Sequence, residues 1–264
     1  MKPTALQKAA SMLCCAMIVV NPATGAQPES KPTVIMVHGA FAGSSSWDGV
    51  AARLYKDGYT VISAANPLRS VKGDADYVAS IVRSVPGPVV LVGHSYAGFV
   101  ISAAVKDNKN VKALVYVAAF APEMGETSSS LSAKYPGATL GPTLSPPVKL
   151  GNGEEDLYVQ QSKFPDQFAK DLPQEKARLL AISQRPATVK SLNDTLPSAP
   201  AWKTVPAYFV YGKADRNIPA AVVEFMAKRA SSKKTVGIEG ASHLVMVSHP
   251  AEVADMIETA AGVK

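Results

Sequence analysis

Apolar residues in this chain gather into short, nearly continuous runs separated by longer stretches with helical spacing. The runs Thr33–Val37, Tyr59–Ala64, Val89–Val92, Ala113–Ala118, Ala207–Tyr211 and Lys234–Ile238 read as strands. Most lack the alternation of a half-exposed strand, so both faces are expected to be buried, as in a parallel sheet covered by helices on either side. Between them, Ser46–Lys56, Asp74–Val85, Tyr96–Asp107, Ala220–Ala230 and Ala251–Ala260 read as helices. Pro219 and Pro250 stand near two helix starts, where a missing N–H is harmless and the fixed φ suits the first turn. The alternation predicts an α/β fold with a mostly parallel, doubly wound sheet.

The rhythm stops between Pro122 and Pro200, a stretch that holds 10 of the 20 prolines and no buried-strand run. Leu144–Leu150 and Asp156–Gln160, joined through Gly151-Asn152-Gly153, read as a small hairpin, and Asp166–Asp171 and Gln174–Ser183 as short helices. Leu179, Leu180 and Ile182 predict that the second helix packs an apolar side inward, which speaks against a disordered linker. An insertion between strands of a parallel sheet emerges at their carboxyl ends, where such sheets bind ligands. Residues of about 122–200 are therefore expected to form a cap over a site.

The N-terminus follows other rules. Lys2 and Lys8 precede an apolar run from Ala9 to Val20, then Asn21-Pro22 and Ala23-Thr24-Gly25-Ala26. A basic start, a short apolar core and small residues at −3 and −1 predict a secretory signal over 1–26, cleaved after Ala26, with the domain itself at 27–264. The run falls short of the roughly 20 residues a membrane span needs, so no stable membrane association is expected after cleavage, and the mature chain should be periplasmic or secreted. Both cysteines, Cys14 and Cys15, lie in the leader. The mature chain then has no disulfide, thiolate metal site or cysteine nucleophile. The formal charge of +6 includes Lys2 and Lys8. The remaining lysines are scattered, as on a solvated surface, and no nucleic-acid partner is expected.

One segment carries chemistry. Val89-Val-Leu-Val-Gly-His-Ser95-Tyr-Ala-Gly98 places a serine on a sharp strand-to-helix turn, with small residues at −2, +2 and +3. A hydroxyl pushed out of the fold in this way is a candidate nucleophile. It needs a base within hydrogen-bond reach and an acid to orient that base. Only four histidines are present. His38 ends the first strand and is expected to shape the following loop. His94 adjoins the serine, so its side chain should leave the turn in another direction, and His249 precedes a helix-start proline. His243, just after the last strand in Gly-Ala-Ser-His-Leu, is left as the base. Asp215 follows a strand in Gly212-Lys-Ala-Asp-Arg-Asn-Ile-Pro219, either as the acid or as a turn-capping carboxylate. An oxyanion would be held by the N–H of Tyr96, at a helix start, and by one from His38-Gly39-Ala40-Phe41, with Ala40 preferred over Phe41. The glycines of Gly39–Gly43 match no phosphate-binding pattern.

Val-His-Gly-Ala with Trp47, Gly-His-Ser-Tyr-Ala-Gly, Gly-Lys-Ala-Asp-Arg-Asn-Ile-Pro and Gly-Ala-Ser-His-Leu together resemble the α/β-hydrolase superfamily, over nearly all of the mature chain except the cap. Within it the chain resembles small bacterial esterases and the branch of plant methyl-ester esterases and hydroxynitrile lyases. The elbow departs only at Ala97, where glycine is usual. The superfamily's chain order, nucleophile then acid then histidine, implies Ser95, Asp215 and His243 as the triad. Related lyases carry threonine and lysine where this chain has Gly39 and Leu244, which implies an esterase. The expected activity is hydrolysis of small, largely apolar carboxylic esters through an acyl-enzyme, with no cofactor and no metal. The pocket is expected to include Phe41, Phe99, Phe120 and Met124, with Phe164 or Phe168 from the cap. Lactonase, amidase and cofactor-free perhydrolase activities use the same triad, and a non-catalytic binding protein on this scaffold is the alternative from another class.

Overall fold

Six strands in the order β2-β1-β3-β4-β8-β9 make one parallel sheet in a computed structural model that describes residues 31–105 and 107–262. The expected signal at 1–26 lies outside the described residues. In chain order the elements are β1 (Thr33–Val37), α1 (Asp48–Lys56), β2 (Val61–Ala64), α2 (Val71–Ser84), β3 (Val89–His94), α3 (Ala97–Ala104) and β4 (Val111–Val117). The sheet resumes with β8 (Ala207–Gly212), α8 (Ala220–Arg229), β9 (Lys234–Ile238), α9 (Val245–Ser248) and α10 (Pro250–Ala260). β3 is buried throughout, and β1 and β4 nearly so, because helices cover both faces. That is why their sequences read as unbroken apolar runs.

The order of the strands positions the site. β1 pairs with both β2 and β3, so the chain reverses its direction of travel across the sheet there. Loops after β1 and β3 diverge at such a switch point and leave a crevice at the carboxyl edge. Helix starts follow local rules: Ser70 caps α2 by accepting the Gly73 N–H at 3.1 Å, and Pro219 and Pro250 open α8 and α10.

Between β4 and β8 the chain builds α4 (Ser128–Ser132), β5 (Val148–Lys149), β6 (Glu155–Leu157), α5 (Phe164–Phe168), α6 (Gln174–Ile182), β7 (Ala187–Thr188) and α7 (Val189–Asn193). β5, β6 and β7 form a small antiparallel sheet of their own. β7 and α7 have no advance signal in the sequence, being too short for any periodicity to show. The apolar side expected of α6 needs correction. This helix buries Ala177 and Ala181, one turn apart, whereas Leu179 and Ile182 are 57% and 65% exposed. Leu180 alone of the three packs against the core. A stripe of alanines lets the helix lie close, and the larger residues fall on the neighbouring, outward stripe.

Candidate active site

β3 ends in a turn that only small neighbours permit. Ser95 sits at φ 53°, in the left-handed region that non-glycine residues rarely occupy. A Cβ on Gly93 would stand 2.8 Å from the Ala97 carbonyl oxygen, and one on Gly98 only 1.8 Å from that of Phe120. The backbone is held from both sides: Ser95 N–H donates to Val117 O at 3.3 Å, and its carbonyl accepts from Gly98 and Phe120 at 3.0 and 3.2 Å. The strain is thus built into the sheet edge.

The loops after β8 and β9 bring two partners to that hydroxyl. His243 Nε2 lies 2.9 Å from Ser95 Oγ, and His243 Nδ1 lies 2.6 Å from Asp215 Oδ2. A carboxylate can only accept, so Nδ1 carries the proton and Nε2 is left as the acceptor for the serine hydroxyl. Asp215 divides its contacts between its oxygens: Oδ2 faces His243, while Oδ1 accepts the N–H groups of Asn217 and Ile218 at 2.7 and 3.0 Å and so caps the turn before α8. The side chains of His243 and Asp215 are fully buried.

His38 shapes its loop. Its Nδ1 donates to Gly39 O at 3.0 Å while Nε2 accepts the Asn66 N–H at 3.1 Å, and burial pushes its pKa down to about 4. His94 stands closer to the chemistry than expected. Its ring lies 4.7 Å from that of His243, and its Nε2 donates to the His243 carbonyl at 3.1 Å. It does leave the turn in another direction from Ser95, outside the cavity lining, and packs behind the His243 ring. Burial first, and the neighbouring His243 second, push its pKa well below the usual histidine value, so it stands neutral. On the other side, Phe168 meets the His243 ring edge-on at 5.2 Å, and its carbonyl accepts from Leu244 N–H and Ser242 Oγ, each at 3.0 Å.

Neither the Ala40 nor the Tyr96 N–H has an acceptor among the described residues, and both residues line the cavity with Ser95 and His243. The second choice, Phe41, already donates to Arg185 O at 3.0 Å. Tyr96 is fixed from its far end, where its hydroxyl donates to the buried Asp74 of α2 at 2.8 Å. Burial is the main cause that raises the Asp74 carboxyl and pushes the Tyr96 phenol far above its ordinary range. Nothing in the sequence pattern pairs these two residues.

The cavity above Ser95 measures about 390 Å³. Phe41, Phe120 and Phe168 line it, with Leu140, Leu144, Leu157, Leu192 and Ile218. Two expected pocket residues, Phe99 and Met124, lie elsewhere, and of the alternatives Phe164 and Phe168 only Phe168 lines the cavity. Phe99 is fully buried and packs against Tyr96 and Phe120 from inside the fold. Met124 is 55% exposed and outside the lining. Phe164 stacks behind Phe168 at 4.9 Å rather than facing the cavity. A second cavity, of about 400 Å³, lies among Trp202–Ala207 and Arg229–Lys233 and touches none of the residues above. Among the described residues no cluster of His, Cys, Asp and Glu suits a metal ion, and no helix is long and apolar enough to cross a membrane.

A hydroxyl poised on an imidazole, an imidazole oriented by a carboxylate, and two unused N–H groups beside an apolar cavity can together perform acyl transfer. The model of the alpha/beta hydrolase family matches residues 34–256, and the chain belongs to that family. Methylesterase 8 of Arabidopsis thaliana is 23% identical over 244 residues, which span 85% of this chain and 88% of that protein. An alpha-hydroxynitrile lyase from the same plant is 25% identical over 254 residues, spanning 88% and 98%. The crystal structure of polyneuridine aldehyde esterase shares the fold with a TM-score of 0.73 at 16% identity, covering 87% of this chain and 98% of its own.

Proposed function

We propose that the protein is an exported serine hydrolase that cleaves small, largely apolar carboxylic esters through an acyl-enzyme. One observation carries the reading: the unbroken line from Asp215 through His243 to Ser95, at 2.6 and 2.9 Å, opening on an apolar cavity. His243 Nε2 takes the Ser95 proton as Oγ bonds to the ester carbonyl carbon. The carbonyl oxygen, now an anion, is held by the N–H groups of Ala40 and Tyr96, each worth about 3 kcal/mol in such chemistry. His243 then returns the proton to the departing alcohol oxygen and the acyl-serine remains. Water, losing a proton to the same nitrogen, displaces the acid, and Ser95 recovers its hydroxyl. Asp215 stabilises the imidazolium at both stages.

The lyase among the relatives is the reading to separate. Gly39 favours hydrolysis, because a Cβ there would stand 2.6 Å from His94 O and 2.7 Å from Ser95 Cβ, which leaves no room for threonine without a shift. The test is multiple turnover of short p-nitrophenyl esters. The wild type turns over many equivalents and Ser95→Ala loses several orders of magnitude with its fold intact. A wild type no faster than buffer overturns the reading. Export is tested by cell fractionation and N-terminal sequencing: the protein is expected outside the cytoplasm with Gln27 as its first residue, and protein confined to the cytoplasm contradicts export.

A further inference from the structure

The last two residues of α5 hold the loops that carry the acid and the base. Phe168 does so through its carbonyl, which accepts from Ser242 Oγ and Leu244 N–H on either side of His243. Gln167 reaches the loop of Asp215 with a side chain that is all but buried, the residue being 4% exposed. Its Nε2 donates to Arg216 O at 3.0 Å and to Asn217 Oδ1 at 2.9 Å, and its Oε1 accepts from Thr139 Oγ1 at 3.0 Å. Its main-chain carbonyl accepts from Asn217 Nδ2 at 3.2 Å, so the Asn217 amide is held at both ends. Asn217 in turn supplies the N–H that Asp215 Oδ1 accepts at 2.7 Å, which leaves Oδ2 aimed at His243 Nδ1. The Arg216 carbonyl does not depend on Gln167, because it also accepts the Thr139 N–H at 2.9 Å. What the Gln167 side chain adds is the bond to Asn217 Oδ1, whose donor among the described residues is Gln167.

Resting on the ester-hydrolase reading, we propose that Gln167 is a positioning residue that, through Asn217, fixes the Asp215 carboxylate against His243. Gln167 is outside the cavity lining and touches no substrate. Binding therefore does not need it. Turnover does, because the Asp215–His243 contact matters most as the imidazolium forms, and small errors of placement there cost rate.

Gln167→Met tests this, since it roughly keeps the side-chain volume and removes both donors. Active sites are counted by fluorophosphonate labelling taken to completion, so kcat refers to folded protein alone. With p-nitrophenyl butyrate, kcat per site falls about three- to tenfold, the span of one neutral hydrogen bond. KM stays within about twofold, because both half-reactions use the same base and slow together. Asn217→Leu lowers kcat at least as far, and in that background Gln167→Met lowers it no further. The far-downfield proton resonance of His243 Nδ1–H, sharp in the wild type, broadens or moves upfield in Gln167→Met. A lower melting temperature with kcat per site and the resonance unchanged makes Gln167 a structural residue only and overturns the proposal. So does a full additive loss in the double variant. If Gln167→Met does not fold, an undiminished kcat per site in Asn217→Leu overturns it equally. A wild type inert toward esters overturns the hydrolase reading instead, and the resonance, which needs no turnover, still reads whether Gln167 holds Asp215 on His243.

Discussion

The loops at the carboxyl ends of β1, β3, β8 and β9 and the segment between β4 and β8 face the same cavity but are built on different terms. Backbone meets backbone at the strand ends: added Cβ atoms would stand 1.8 Å from Phe120 O at Gly98 and 2.3 Å from Ala241 O at Gly212. In the inserted segment, a Cβ at Gly151 would meet nothing within 4 Å. The segment supplies side chains to the cavity wall and touches those loops through a few backbone groups: the Gln167, Phe168 and Arg185 carbonyls accept from them, and the Thr139 N–H donates to Arg216 O. Under the proposed function, reactivity rests on the sheet edge and selectivity draws on side chains of the inserted segment. The contrast teaches where substitutions change rate and where they change choice of substrate.

The largest effect that bears on this division is at Asp215, the proposed acid. Asp215→Asn keeps one oxygen for the turn but reverses the donor logic at His243, and kcat should fall about 10⁴-fold with melting little changed. Steady-state kinetics retaining a tenth of the wild-type rate would break the assignment. Next comes packing. Gly98→Ala should cost about 3 kcal/mol by overpacking, a fall of roughly 6–12 °C in Tm for a chain of this size. Gly151→Ala should stay within about 0.5 kcal/mol. Equal losses in calorimetry would erase the contrast between the two regions.

Acid sensitivity should also originate at the sheet edge, since none of the four histidines lies between 122 and 200. The folded state holds His38 neutral down to about 4, against an ordinary value of 6.5. The unfolded chain therefore binds more protons in that window, and stability falls as pH falls from about 6.5 toward 4. His38 alone accounts for about 3 kcal/mol by the end of it, and His94 acts in the same direction. Asp74, raised by burial, works the opposite way at the acid end of the window. Denaturant titrations from pH 8 to pH 4.5 should show a shallower loss for His38→Gln than for the wild type, and parallel curves would contradict it. The smallest effect is at Tyr96→Phe. Losing the bond to Asp74 loosens the helix start that presents the Tyr96 N–H, and kcat should drop about three- to tenfold with KM nearly unchanged. A change confined to KM would make Tyr96 a wall residue only.

How much of this was legible in the sequence follows the same division. The strands, the elbow and the residues at 95, 215 and 243 announce themselves because close backbone approach demands glycine and because strand ends fix where a side chain emerges. The pocket did not. An aromatic residue near the elbow packs inward or outward with equal hydrophobic profit, so Phe41 and Phe120 reach the cavity while Phe99 fills the core. Phe168 gave no sign that its carbonyl grips the loop of His243, since a backbone acceptor has no residue signature. Asp74 of α2 and Tyr96, which precedes α3, meet only in three dimensions. Short elements such as β7 and α7 carry too few residues for a period to emerge.

Labelling with a fluorophosphonate followed by peptide mass analysis asks directly whether Ser95 is the nucleophile. One adduct is expected, on the peptide that contains Ser95, and none in Ser95→Ala. A wild type that takes no label, or an alanine variant that labels equally, would contradict it.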